Sequence, residues 1–243
     1  MLFSKYAYAP NLLHYCGPKE TEAIFENIVE VKNKNFEKLL LQFNGAVPYL
    51  QLIASANNIR DIFDLKVVEA YWLGNDLLKK VPSMSLYHSI KDRFKKRVKI
   101  KEWDKIAAKP IMGAKPFHAF HVFDIGRLIG LINLGQSQKI LETMDKCRIG
   151  WGKIKHINLS DGGEKLSLGN SVVEYFPLQF DNLGKLKIGA KKDKKLYLLD
   201  QKLKIGDDVA IHWDFVCDKV SLPQKRNLIF WTNYHLNLAN REF

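Results

Sequence analysis

Cysteine is scarce in this chain: three in 243 residues, at Cys16, Cys147 and Cys217. Their wide separation excludes the dense disulfide framework of a small secreted domain, and no paired CxxC spacing suggests a structural zinc. A reduced, intracellular setting is the expectation. Long apolar runs are missing as well. No stretch reaches the ~20 apolar residues that a bilayer span needs, and the longest candidate, residues 125–134, is interrupted by Arg127, glycine and asparagine. The start of the chain, Met1 to Tyr8, lacks the apolar core of a signal peptide. A soluble cytoplasmic protein without a membrane partner is expected. Acidic residues are in short supply: 26 Asp and Glu against 38 Lys and Arg leave a net charge of +12. That excess invites a nucleic-acid hypothesis. Lysine dominates it, however, in two runs, Lys91 to Lys109 and Lys185 to Lys195, which read first as solvated faces. GxSxG, P-loop and HExxH motifs are all absent, and the glycines at 126, 130 and 135 form no phosphate-binding fingerprint.

What is present is an ordinary globular composition, 47% apolar and 26% charged, arranged in two patterns. Up to about residue 145 the period is helical. Ile24, Ile28 and Val31 share a face within Thr21 to Val31. Phe36, Leu39, Leu40 and Phe43 repeat the pattern up to Gly45. Val47 to Ala56 carries Pro48 where a missing donor is harmless, and Asp64 is placed to cap a helix over Leu65 to Leu78. Ser85 to Val98 reads as a basic helix. Ile106 to Pro116 reads as a loop because it holds two prolines and a glycine. Phe117 to Asp124 fits strand or helix, Ile125 to Leu134 a buried helix, and Ser137 to Lys146 an amphipathic one.

At Cys147 the period changes. Arg148 to Ile157, Ser171 to Phe180, Lys185 to Ile188, Lys195 to Leu199 and Asp208 to Val216 are short, β-branched or aromatic, and separated by turn signals. Ser221 and Pro223 then open a last helix running to about Asn240. The expected architecture is α+β: an all-α domain, residues 1–145, packed on a small OB-like β-barrel with a terminal helix, residues 146–243.

Two segments carry the soft, metal-capable groups. Cys147-Arg148-Ile149-Gly150-Trp151-Gly152-Lys153-Ile154 opens the first strand with a thiol. Gly206-Asp207-Asp208-Val209-Ala210-Ile211-His212-Trp213 is a turn and strand that carry an imidazole. In that order of residues the last hundred positions resemble the HypC/HupF hydrogenase-maturation chaperones, which share a cysteine-led first strand, a Gly-Asp turn before a histidine-bearing strand, and a closing helix. The resemblance implies an OB-like barrel that binds a partner protein, with Cys147 as a ligand thiol for iron and His212 as a supporting imidazole. Arg148 and Lys153 are placed to lower the thiol pKa. Over nearly its full length the chain also resembles an uncharacterised bacterial family, a domain of unknown function. That likeness rests on Tyr15-Cys16-Gly17-Pro18, Glu69-Ala70-Tyr71-Trp72, His118-Ala119-Phe120-His121-Val122-Phe123 and His212-Trp213-Asp214-Phe215-Val216-Cys217-Asp218, and it implies no activity.

The remaining candidates have plain structural readings beside chemical ones. His118 and His121 would share a helix face and chelate a metal, but would face opposite ways on a strand. Cys16, with His14, sits in an N-terminal arm. Asp214 would serve as base, as ligand, or as a satisfied strand-end acceptor. The favoured expectation is a non-catalytic accessory protein, a metalloenzyme-maturation chaperone that binds a partner and iron. Single-stranded nucleic acid is the first alternative; it would need Trp151, Trp213, Tyr175 and Phe176 exposed as stacking platforms beside lysines. The second is an enzyme, which would need His118, His121, His212 and Asp214 to converge on one pocket.

Overall fold

The structure is a computed structural model and describes residues 2–29, 36–126, 137–158, 169–199 and 202–241. Its first helix, α1 (Leu2–Leu12), is buried on nearly every side by Phe3, Tyr6, Ala7, Tyr8 and Ala9, as a helix threaded through a core must be. α2 (Thr21–Val29), α3 (Phe36–Leu40) and α4 (Val47–Ala56) follow. α5 (Leu65–Trp72) starts where expected, with the Asp64 carboxylate accepting from the Lys66 N–H at 2.8 Å. It does not continue to Leu78. Gly74 has φ +82, and a Cβ there would lie 2.2 Å from Trp231 Cδ1, so the chain turns beneath that indole. A 3-10 turn over Asp76–Lys80 takes up the remaining residues.

α6 (Ser83–Phe94), a short 3-10 turn and α7 (Ile100–Ile111) come next. The loop expected over Ile106 to Pro116 is therefore half helix. Pro110 sits in the last turn of α7, where it removes a single bond, and Trp103 and Ile106 bury the inward face. α8 (His118–Phe120) runs directly into a π-helical stretch, His121–Gly126, which settles the ambiguous segment as helical. The helix expected beyond it, to Leu134, lies outside the described residues after Gly126. α9 (Ser137–Cys147) ends at the cysteine where the sequence period changes.

Five strands form a closed barrel: β1 (Gly150–Asn158), β2 (Asn170–Tyr175), β5 (Lys192–Leu198), β7 (Phe215–Lys219) and β6 (Asp208–His212), in that spatial order. All neighbours pair antiparallel except β5 and β7, which run parallel. A side hairpin of β3 (Leu178–Phe180) and β4 (Leu186–Ile188) stands apart. Two expected strands are thus each divided: Ser171 to Phe180 breaks at Phe176-Pro177, and Asp208 to Val216 is a hairpin. Its two-residue turn is Trp213-Asp214, with φ +50 and +67. Positive φ at both central residues matches the twist of a hairpin but suits Asn-Gly far better than Trp-Asp.

Ile154, Val173, Leu196, Leu198, Val209, Ile211 and Val216 fill the barrel as a separate aliphatic cluster. The larger core runs without a break from the helices, through Phe3, Tyr6, Trp72 and Phe120, onto Trp151, Ala210, Trp213, Phe215 and Cys217 of the barrel segment. The last helix, α10 (Leu222–Ala239), opens with a reciprocal capping box between Ser221 and Gln224. It packs against α8, the π-helical stretch and β4 rather than closing the barrel. Lys109 Nζ donates to the Leu238 carbonyl, the Lys115 N–H donates to His235 Nε2 at 3.2 Å, and Asn240 brackets Leu186 with two bonds. Among the described residues no helix is long and apolar enough to cross a membrane.

Candidate metal centre at the helix–barrel junction

Helix ends leave carbonyl groups without intrahelical partners, and at the end of α9 those groups organise a site. The Lys146 carbonyl accepts from the Trp213 N–H at 2.8 Å, which pins the β6–β7 turn against the helix. The next carbonyl, that of Cys147, accepts from His118 Nε2 at 2.7 Å. His118 therefore carries its proton on Nε2, and its Nδ1 accepts from the Tyr71 hydroxyl at 3.0 Å. His212, the last residue of β6, has the opposite arrangement. Its Nδ1–H donates to the Tyr6 carbonyl at 2.7 Å, so Nε2 keeps a lone pair. That nitrogen is buried and has no hydrogen-bond partner among the described residues.

The donor atoms of His118, Cys147 and His212 all lie within 4.8 Å of one another. Trp72 holds both rings in place, 4.6 Å from His118 and 5.6 Å from His212 between centroids. They border a cavity of about 130 Å³ that is also lined by Cys16, His121, Tyr71 and Trp213. Tyr15 stacks on Trp213 at 4.1 Å at the cavity wall.

Burial sets the protonation states. It pushes His212 down to about 4, opposed by the Tyr6 carbonyl and more weakly by that of Cys147. His121 falls to about 3 through burial and the nearby Arg93 guanidinium. His118 is held well below its usual range by burial first and by His212 second. The Cys147 thiol rises to about 12 through burial, with the Trp213 indole N–H opposing. At neutral pH the site therefore presents neutral imidazoles and protonated thiols. Such groups make a poor acid–base pair and a good nitrogen–sulfur donor set for a thiophilic or borderline cation, which lowers a thiol pKa by its own charge.

The residues fit such an ion unequally. His212 is ready: a distant carbonyl fixes its tautomer, the usual arrangement behind a metal-bound histidine, and its ring lines the cavity with Nε2 unpartnered among the described residues. Cys147 needs only to lose its proton. His118 has both nitrogens engaged and would ligate only by exchanging its bond to Tyr71 or to the Cys147 carbonyl.

Six candidates from the sequence, Cys16, Cys147, His118, His121, His212 and Trp213, meet at this cavity. Two do not. Asp214 turns away and pairs with Lys146 at 2.8 Å and Lys194 at 2.5 Å, so the four residues of the enzyme reading do not converge. Trp151 packs in the core beside Phe176 and the Arg148 guanidinium. Trp151, Trp213 and Tyr175 are 4%, 5% and 6% exposed, too little for nucleobases to stack on them. Arg148 does not activate the cysteine either, because its guanidinium binds Asp145 and the Phe176 carbonyl. Lys153 faces Gly206 and Asp208. The third cysteine, Cys217, is buried apart with Sγ toward the Phe215 carbonyl. Sequence reasoning missed the supporting residues Tyr6, Tyr71 and Trp72. The Glu69-Ala70-Tyr71-Trp72 segment, which carries part of the family likeness, is the available signal.

Residues 1–243 match a family of unknown function, DUF6390, and the chain belongs to it. No curated protein and no solved structure matches it.

Proposed function

We propose that the protein is an accessory factor that holds a thiophilic or borderline metal ion, of the iron(II) class, in the cavity between helices and barrel. Cys147 Sγ and His212 Nε2 are its ligands, with His118 joining after one hydrogen-bond exchange. The observation that carries this reading is His212 Nε2: a buried nitrogen with no hydrogen-bond partner among the described residues, on a ring whose tautomer the Tyr6 carbonyl has fixed and whose donor atom lies within 4.8 Å of the Cys147 thiol. An unpaired buried acceptor is costly to maintain, and a bound cation would satisfy it.

On this reading the ion is cargo destined for a partner protein, as in hydrogenase-type metalloenzyme maturation. Support for an OB-like barrel comes from its five-stranded closure, with sequence-remote strands β5 and β7 paired in parallel. The test is anaerobic purification of wild type, Cys147→Ala and His212→Ala, followed by iron(II) loading and elemental analysis. Wild type should retain stoichiometric iron and both variants should lose it while keeping their circular-dichroism spectra. Wild type that retains no iron or other transition metal overturns the reading.

A further inference from the structure

The cavity has an unusual charge inventory. Five of its lining residues offer nitrogen or sulfur donors, Cys16, Cys147, His118, His121 and His212, and no Asp, Glu, Lys or Arg lines it among the described residues. Its histidines are neutral. Apart from the phenols of Tyr15 and Tyr71, the only anions its side chains can supply are thiolates. A buried ion that keeps a net charge pays a desolvation penalty of several kcal/mol, so the bound state is most stable when cation and thiolates cancel. One thiolate balances a monovalent ion; two balance a divalent one.

The second thiol is already on the wall. Cys16 is exposed as a residue, yet it lines the same cavity as Cys147 and His212, just outside the three donors that lie within 4.8 Å of one another. Its loop is built to hold it there. Asn11 Nδ2 donates to the Cys16 carbonyl at 3.1 Å and to the Pro18 carbonyl at 2.6 Å. Gly17 has φ +89, and a Cβ on it would lie 2.4 Å from the Phe43 ring. Tyr15, one residue before the cysteine, is clamped on Trp213.

We infer that Cys16 is a second thiolate ligand of the junction centre, which thereby takes a divalent thiophilic cation as a neutral two-thiolate, imidazole-bound complex. Binding breaks both S–H bonds, forms two metal–sulfur bonds and releases the two protons to solvent, with no change of oxidation state. The inference rests on the metal-binding reading above.

The experiment is anaerobic titration of wild type, Cys16→Ser, Cys147→Ser and His212→Ala with cobalt(II), with silver(I) as the monovalent probe. Cobalt(II) reports thiolate ligation through sulfur-to-metal charge transfer in the near ultraviolet. Wild type should show the intensity of two thiolates. Cys16→Ser should keep about half of it and bind cobalt(II) at least about tenfold more weakly, the loss typical of a disturbed metal site, while its silver(I) affinity holds. Cobalt(II) spectra identical in wild type and Cys16→Ser overturn the inference and leave the metal-binding reading intact. A wild type that binds silver(I) and refuses cobalt(II) overturns the inference and the iron(II) class of the ion, leaving a monovalent site. A wild type that binds neither probe overturns the inference and the metal-binding reading together. Cys16 lies on a surface loop, and unchanged thermal unfolding of the serine variant separates ligand loss from misfolding.

Discussion

The inside of the barrel and the cavity on its outer wall are built from opposite materials. Inside, Ile154, Val173, Leu196, Leu198, Val209 and Ile211 interlock, with Tyr175 the one titratable residue of the cluster among the described residues. Outside, where β6 and the end of α9 meet α1, α5 and α8, the lining is aromatic, imidazole and thiol around open space. The same strand serves both: Ile211 points into the barrel, and His212, its neighbour, points at Tyr6 and Trp72. Alternation along β6 thus separates stability from chemistry. Strain lies on the chemical side as well, since Trp213 and Asp214 hold positive φ directly after His212.

Acid should act on the buried histidines, His121 and His212 at the cavity and His235 in α10, and give the largest effect. His121, His212 and His235 have folded pKa values of about 3, 4 and 4, below the unfolded value of about 6.5. As pH falls below 6.5 the unfolded chain takes up protons that the folded chain refuses, so stability drops until the folded values are reached. Each such proton is worth about 1.4 kcal/mol per pH unit, and several together rival the whole stability of a domain. Urea unfolding at pH 7.5, 6 and 5 should show a falling midpoint; a flat profile across that range would break the comparison.

Next in size is the barrel interior. Leu196→Ala should cost about 2–5 kcal/mol in thermal or urea unfolding while leaving metal stoichiometry unchanged in the folded fraction. Gly74→Ala should follow at about 1–2 kcal/mol from left-handed φ alone, plus whatever the Trp231 indole must yield, read from the same melts. Tyr15→Ala should be smallest for stability, about 0.5–1.5 kcal/mol for a lost aromatic pair. It should nonetheless speed the reaction of the cavity thiols with a thiol reagent, and an unchanged rate would show that the Tyr15–Trp213 stack does not guard them.

Much of the fold was legible because its signals are local. Asp64 capping α5, Ser221 with Pro223 opening α10, and the loss of helical period at Cys147 each need only a few neighbouring residues. The failures are places where distant residues overrule local preference. Pro110 is tolerated because α7 is nearly finished and its inner face is buried. Trp213-Asp214 forms a hairpin turn without turn residues because α9 holds the Trp213 N–H and two lysines hold the aspartate. The terminal helix packs on the helical part because its Leu238 carbonyl, His235 and Trp231 have their partners in Lys109, Lys115 and Phe117, while Lys225 ties its first turns to Asp208 of β6.

Sequence alone determined the change from helical to strand period at Cys147 and the candidate donor residues, Cys147, His212, His118 and Cys16, because periodicity and side-chain chemistry are written residue by residue. Tertiary structure decided which nitrogen of each histidine is available. His212 presents Nε2 because the Tyr6 carbonyl, 206 positions away, takes the proton of Nδ1. His118 does not, because the end of α9 and Tyr71 occupy both of its nitrogens. A hydrogen bond between residues so far apart depends on the packing of helix against barrel, and no local pattern encodes it.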